Sequence, residues 1–403
     1  MPPGREQPRA IFPLYALASM DAAIRPLASF FTACLCDRHD GGGSRHRGLD
    51  RGVATDLLVS YVSAEGHPAA FPGLPNPKEC KQPGYGHAGS ACKAPEPRTI
   101  LHLCTTAVSV SGSVHRPVLL AEVLQWLDPR PGQVIVDGTV GGGGHARAMA
   151  ERLVPGGVLI GLDRDPSALD RAQAALAGLP VRLAQANFSD LPEVLSALNV
   201  PEVDGVLLDL GMSSDQLADP ARGFSFSSGA PLDLRFDPTA GEPAWRLLNR
   251  LSEQHLADLL FHYGQERYSR RIARAIVERR RCEPVRTAAE LAELVCRVVP
   301  PECGPGAIHP ATRTFQALRI AVNDELKSLE VALRRIPQCL RPGGRVAIIS
   351  FHSLEDRRVK EAFRTDPRFR PLLRKPLCPS EHERADNPRC RSAKLRVAER
   401  TCG

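Results

Sequence analysis

The chain has 403 residues, 43% hydrophobic and 24% charged, enough for two or three domains and ordinary in balance for a globular protein. A formal net charge of +7 and an isoelectric point near 8.9 favour an anionic partner, nucleic acid first among them. Twelve cysteines with no Cys-x-x-Cys pair argue against a zinc cluster or a disulfide framework, and no apolar run reaches the ~18 residues of a membrane span.

Residues 1–112 are rich in Pro, Gly and Cys, as in FPGLPNPKECKQPGYGHAGSACKAPEPR, and hold no sustained helix or strand period. They are expected to form a poorly ordered extension. Its first ~35 residues, apolar with scattered Arg, resemble an organelle-targeting segment, although Glu6 and Asp21 count against that reading.

From Val114 the texture becomes regular. PVLLAEVLQWL has helical period, QVIVDG is a buried strand, and HARAMAERL is a helix. GGVLIGLD, VRLAQANF and VDGVLLDLG add three strands, separated by the helices PSALDRAQAAL and LPEVLSAL. Such alternation predicts a doubly wound parallel α/β sheet, with a first part over 113–216. Over 217–311 only helical segments follow, among them SEQHLADLLFHYG and RYSRRIARAIVERRR, which predicts a helical insertion. TFQALRIAVNDELKSLEVALRRIPQCL then reads as one long amphipathic helix, and LRPGGRVAIISFHS restores a strand. Residues 312–403 complete the sheet domain and end in a basic tail.

The first strand runs into VIVDGTVGGGGHARA, the signature of a strand, a tight turn and a helix N-terminus that approach a ligand closely. Asp163, about twenty residues past the turn, stands where an acidic side chain meets ribose hydroxyls. No Gly-Lys-Ser/Thr follows, so this is not a nucleoside triphosphate loop. A loose GxGxxA match through Gly141, Gly143 and Ala146 keeps an NAD-dependent oxidoreductase open. Three features favour S-adenosyl-L-methionine. Asp137 before the turn repels a pyrophosphate but suits a cationic amino acid moiety. His145 stands where a dinucleotide turn leaves bare amides. Asp209, in DLGMSSDQ at the end of the fourth strand, borders the same crevice.

DGTVGGGGH, LDRDP, LLDLGMSSDQL, RGFSF, PLDLRFD, HPATRTFQALRIAVNDEL, ISFHSLEDR and NPRCRSAKLRVAER occur in this order. Together they closely resemble the RsmH (MraW) family of small-subunit rRNA cytosine-N4 methyltransferases, from about His115 to Thr401. The resemblance implies a class I, Rossmann-like S-adenosylmethionine-dependent methyltransferase fold with a helical insertion. It implies cofactor contacts from Gly143, Gly144 and His145, from Asp163 to the ribose, from Phe188 against the adenine, and from Asp209 and Gln216. Val140 and Asp215 depart from the family's commoner aromatic and Pro.

Methylation of an exocyclic amine needs acceptors that bond its N–H groups, a role that suits Asp209 or the hydroxyls of Ser213 and Ser214. The competing reading makes DLGMSS a helix-capping turn. Pyrimidine carbon-5 chemistry needs a nucleophilic Cys beside the cofactor, and no strand-end motif holds one. His352 reads either as a wall of the target-base pocket or as a satisfied buried His, and Glu355 and Asp356 as caps of the next helix.

Contacts to small-subunit ribosomal RNA, free or in an assembled subunit, are expected from Arg222, Phe224, Arg270, Arg274, Arg313, Arg391 and Lys394, with Phe224 or Phe226 stacking a flipped base. No metal and no membrane partner are expected, and a homodimer stays open. The expected setting is a bacterial cytoplasm, with the mitochondrial matrix as the alternative. A non-catalytic RNA-binding protein of the same fold remains a third reading.

Overall fold

A strand covered on both faces must be apolar at every position, and this requirement shapes the sheet. The computed structural model of the chain describes residues 116–301 and 308–402, so the expected poorly ordered stretch 1–112 lies outside the described residues. After α1 (Leu120–Leu127) comes β1 (Val134–Asp137), whose Ile135 and Val136 are fully buried on opposite faces. The helices α2 (Gly144–Leu153), α3 (Pro166–Ala175) and α4 (Leu191–Ala197) alternate with β2 (Val158–Asp163), β3 (Val181–Gln185) and β4 (Val203–Asp209). The short α5 (Ser214–Ala218) follows β4.

Between β4 and β5 (Leu340–Ser350) the described chain is helical apart from turns and one isolated bridge, Pro231 with Thr287. Its helices are α6 (Ala244–Arg250), α7 (Glu253–Gly264), α8 (Ser269–Cys282), α9 (Ala288–Val298), α10 (Thr312–Asn323) and α11 (Glu325–Cys339). Then α12 (Ser353–Thr365), β6 (Phe369–Pro371), α13 (Glu381–Asp386) and β7 (Lys394–Arg400) close the chain.

The seven strands lie in the order β3-β2-β1-β4-β5-β7-β6, parallel except for β7, which is antiparallel to both its neighbours. Strand order reverses between β1 and β4, so the crevice beyond their carboxyl ends is the expected ligand position. One face of the sheet packs Ile135, Leu159 and Leu207 against Met149 and Leu153 of α2. The other packs Val136, Ile160 and Val206 against Leu195 of α4 and Leu329 and Ile336 of α11. A separate apolar cluster holds α6 to α10 together, from Leu248 and Leu256 to Phe315 and Leu318.

Two expectations are corrected. The single long helix breaks at Asp324, whose φ of 50° ends α10 and starts α11. The cause is tertiary: the buried Asn323 donates to the Leu234 carbonyl at 2.7 Å and accepts from Phe236 N–H at 2.7 Å, pinning the end of α10. The amphipathic period runs straight through that break, so pattern could not locate it. The basic tail is in part the strand β7, paired between β5 and the edge strand β6, with Leu395, Val397 and Ala398 buried. Its cations are paired: Arg396 Nε lies 2.7 Å from Asp356, and Arg400 lies 3.1 Å from Glu202.

Gly264 ends α7 against α10, and a Cβ there would stand 2.5 Å from the Arg313 carbonyl oxygen. Gly264→Ala is expected to force the two helices apart at a cost of about 1–3 kcal/mol, the range for overpacked contacts. Urea unfolding measures it as a lower midpoint at unchanged slope; an unchanged midpoint would show that the helices yield freely.

Candidate active site

Asp137 ends β1 with its carboxyl 1% exposed, accepting the Thr139 N–H at 3.1 Å. Burial, and then the charge of Asp163, pushes its pKa up to about 7 against that hydrogen bond. The turn that follows needs glycine for two reasons. A Cβ on Gly138 would stand 2.5 Å from the Leu208 side chain, and Gly143 caps α2 with φ of 88°. Asp163, at the end of β2, fastens the turn from the next strand: it accepts Gly141 N–H and Asp165 N–H, each at 2.9 Å. Burial outweighs those donors and raises its pKa as well.

Asp209 ends β4, and its N–H donates to Thr139 Oγ1 at 2.7 Å, which ties β4 to the glycine turn. Its side chain is about one-tenth exposed, with Oδ2 3.7 Å from His145 Nδ1. Oδ1 is buried and has no hydrogen-bond partner among the described residues. Burial, then the charges of Asp137 and Glu355, holds this carboxyl well above the ordinary range. His145 is itself fixed, with Nε2 2.9 Å from the Val118 carbonyl oxygen.

The loop after β4 is locked by Asp165, the N-cap of α3, which is 1% exposed. Its Oδ2 accepts from Gln216 Nε2 and from Arg222 Nη1, each at 3.0 Å. Gln216 and Ser213 form a reciprocal capping box on α5, each accepting the other's backbone N–H.

Around these groups lies a cleft of about 1010 Å³ counting its open mouth, roomy enough for a nucleoside-sized ligand. Of the residues read from sequence, Gly144, His145, Asp163, Phe188, Asp209, Ser213 and Gln216 line it. Asp137, Gly143 and Ser214 are absent from its wall. Asp137, expected to face a cationic ligand, is instead buried beneath the turn, where it fixes Thr139. Ser213 is the helix cap that the competing reading of DLGMSS foresaw, although it still borders the cleft.

Several contributors escape sequence reasoning. Thr139 sits inside the quoted turn without a motif of its own. Asp165 is signalled by Asp-Pro at a helix start, the pattern of an N-cap. Phe351, Glu325 and Glu355 form the wall beyond β5.

His352 is the N-cap of α12, its Nδ1 accepting Glu355 N–H at 3.4 Å and its Nε2 3.1 Å from Glu355 Oε1. That is a half-buried His paired with Glu355, although its Nε2 makes no well-formed hydrogen bond, and Glu355 completes the capping box as expected. Asp356 is held by Arg396 and Lys394. Ligand atoms of Glu325, His352 and Glu355 lie within 4.8 Å of one another, a spacing open to a divalent cation. Arg319 already supplies a counter-charge to Glu325, donating to both its oxygens at 2.7 and 2.8 Å.

The residues read as RNA contacts divide. Arg222 is buried, with Asp165 and the carbonyls of Arg235 and Phe236 as partners, because its charge joins α3 to the start of the helical stretch. Phe224 is 3% exposed inside the helical cluster. Arg270 and Arg391 are exposed, Arg274 is exposed beside Glu253, Arg313 is half-buried, and Lys394 lies 3.3 Å from Asp356.

A mostly parallel sheet with a glycine turn after its first strand and acids at three neighbouring strand ends defines a Rossmann-like α/β domain built around a nucleoside-cofactor crevice. The chain belongs to the MraW methylase family, whose profile matches residues 112–401. It is similar to three proteins named ribosomal RNA small subunit methyltransferase H. The one from Syntrophotalea carbinolica is 51% identical over 306 residues, 71% of this chain and 98% of that protein. The one from Deinococcus radiodurans is 52% identical over 287 residues, 71% and 89%. That from Thermomicrobium roseum is 47% identical over 308 residues, 72% and 94%.

The raised pKa of Asp137 carries a pH signature. Between its unfolded value of 3.8 and about 7 the folded chain holds a proton that the unfolded chain has lost, so this group's stabilising contribution fades as pH rises through that window. Asp137→Asn keeps the acceptor for Thr139 N–H and removes the buried charge. The ligand-free variant is expected to exceed wild type at pH 8 by a few kcal/mol, about 1.4 per pKa unit. The gap should close by pH 4 in denaturant titrations, and a gap independent of pH would contradict the assignment.

Proposed function

We propose that this protein transfers a methyl group from S-adenosyl-L-methionine to the exocyclic N4 of a cytidine in small-subunit ribosomal RNA. The observation that carries the reading is a single cleft with two ends. The glycine turn and Asp163 form one end, the wall beyond β5 the other, and Asp209 with the DLGMSS loop stands between them. The names of relatives about half identical over nearly their whole length support ribosomal RNA as the substrate.

The residues present fit the methyl donor. Phe188 and Leu329 offer apolar surface for an adenine, and Asp163 an acceptor for ribose hydroxyls. Asp209 supplies what a cationic amino acid moiety requires, a carboxyl that borders the cleft and whose Oδ1 lacks a hydrogen-bond partner among the described residues. A dinucleotide would instead bring two phosphate charges toward Asp137, Asp163 and Asp209, which speaks against the oxidoreductase reading. When bound, S-adenosyl-L-methionine supplies a methyl group already activated on a sulfonium. The protein's own contribution is then to hold the target nitrogen in line, exclude water and accept its N–H bonds. No described cysteine borders the cleft, which supports nitrogen over carbon 5 as the acceptor.

The helical stretch 217–311 is the proposed RNA-contacting region, through the exposed Arg270 and Arg274 of α8, joined by Arg313 and by Arg391. A paired target base must leave its stack to reach the cleft. A ribosomal substrate suits a bacterial cytoplasm, with the mitochondrial matrix as the alternative, and no described helix is long and apolar enough to cross a membrane.

Two measurements test this reading. Wild-type protein with methyl-labelled donor and undermethylated small subunits should yield N4-methylated cytidine on nucleoside mass spectrometry; label on carbon 5, or none, would refute it. Asp163→Ala, which removes the ribose acceptor and releases the Gly141 N–H, should weaken donor affinity ~10- to 100-fold by calorimetry, the scale of a lost charged hydrogen bond. Undiminished affinity would move the ribose elsewhere.

A further inference from the structure

We propose that the wall beyond β5 is the subsite for the target cytosine, with Phe351 as its stacking face and Glu355 as the carboxylate that receives an N4–H. The inference rests on the reading of the protein as a cytosine-N4 methyltransferase and gives the base a place in the cleft.

Phe351 is the first residue after β5, half-buried, and its side chain belongs to the cleft wall. Its N–H donates to Glu355 Oε2 at 2.9 Å, so the aromatic residue and the carboxylate are fastened as one unit. The ring lies against the DLGMSS loop, 3.6 Å from where a Cβ on Gly211 would stand, and Gly211 holds φ of 102°. An aromatic ring therefore flanks the strand-end loop that also carries Asp209. The aromatics read from sequence as base platforms are otherwise engaged. Phe224 is in the helical core, and the Phe226 ring sits 4.6 Å from His309 and 4.8 Å from Phe315.

Glu355 is 2% exposed yet lines the cleft. Burial alone would neutralise it, but His352, Arg319 and the Phe351 N–H hold its pKa below the ordinary range. It is thus an ionised acceptor at neutral pH, unlike Asp209, whose pKa is raised. Arg319 acts through Glu325: fixed by two hydrogen bonds to that carboxylate, it neutralises one acid and lends its field to the other. Cytosine presents a flat face for stacking and an N–H donor at N4, and this wall presents the complement of both. An acceptor on one N4–H raises the electron density on the nitrogen and gives a destination for the proton that the amine must shed when it takes the methyl group and the sulfonium leaves as a neutral thioether. Uracil, with a carbonyl at that position, would meet the carboxylate oxygen to oxygen and be rejected.

The test compares Phe351→Leu, Phe351→Tyr and Glu355→Gln with wild type. Phe351→Leu should raise KM for undermethylated small subunits ~10-fold or more, the scale of one lost base stack, while donor affinity by calorimetry stays within about threefold. Phe351→Tyr should restore KM. Glu355→Gln should lower kcat ~100-fold, as for a lost preorganised electrostatic contact. Independently of turnover, small-subunit RNA transcribed with 5-iodocytidine and irradiated on the protein should attach at Phe351, mapped by peptide mass spectrometry. Attachment at Phe226 instead, or an unchanged KM in Phe351→Leu, would overturn the subsite while wild type still forms N4-methylcytidine. Absence of that product from wild type would instead bring down the underlying reading and the subsite with it.

Discussion

Three neighbouring strands end in aspartate, and the parallel register brings Asp137, Asp163 and Asp209 to one edge of the sheet. Packing that much acid under apolar cover is unfavourable in the ligand-free chain, and the raised pKa values of all three record the cost. The rest of the site answers to that constraint. Backbone N–H groups of Thr139, Gly141 and Asp165 are turned onto two of the acids. The third, Asp209, keeps a buried oxygen without a hydrogen-bond partner among the described residues. A site strained in this way is balanced by a ligand that brings positive charge.

A second constraint joins the sheet to the helices. Asp165 is buried and serves α3, α5 and Arg222 at once, so the loop after β4 and the entry to the helical stretch are set by one carboxylate. Arg164 donates to the Asn323 carbonyl at 2.7 Å, and Asn323 in turn holds Leu234 and Phe236. Arg164 and Asp165 of the LDRDP segment thus organise the walls of the cleft from both sides. The contribution of these two residues is geometric rather than catalytic, which is why a reading centred on ligand contacts passes over them and names only Asp163.

The strands and most helices are legible in the sequence because a doubly covered parallel strand must be an unbroken apolar run, as in VIVD and VLIGLD. The glycine turn and the strand-end acids are legible for the same reason: their positions follow once the strands are placed. What stays hidden depends on contacts distant in sequence. Arg222 reads as a surface cation until Asp165, 57 residues away, is seen to bury it. The break at Asp324 is invisible to helical period because Asn323 is captured from outside the helix. The strand identity of Lys394–Arg400 is masked by its cations, whose partners Asp356 and Glu202 lie elsewhere in the chain.

The account stands on uncompensated acid waiting for a cationic donor at Asp209. Calorimetric titration with S-adenosyl-L-methionine near pH 7, in two buffers of different ionisation enthalpy, tests this directly. The account predicts tight binding with net release of protons, as the bound cation favours the charged forms of Asp209, whose pKa is raised, and of its neighbour Asp137, whose pKa is about 7. Binding with no proton exchange, or no binding at all, would contradict it.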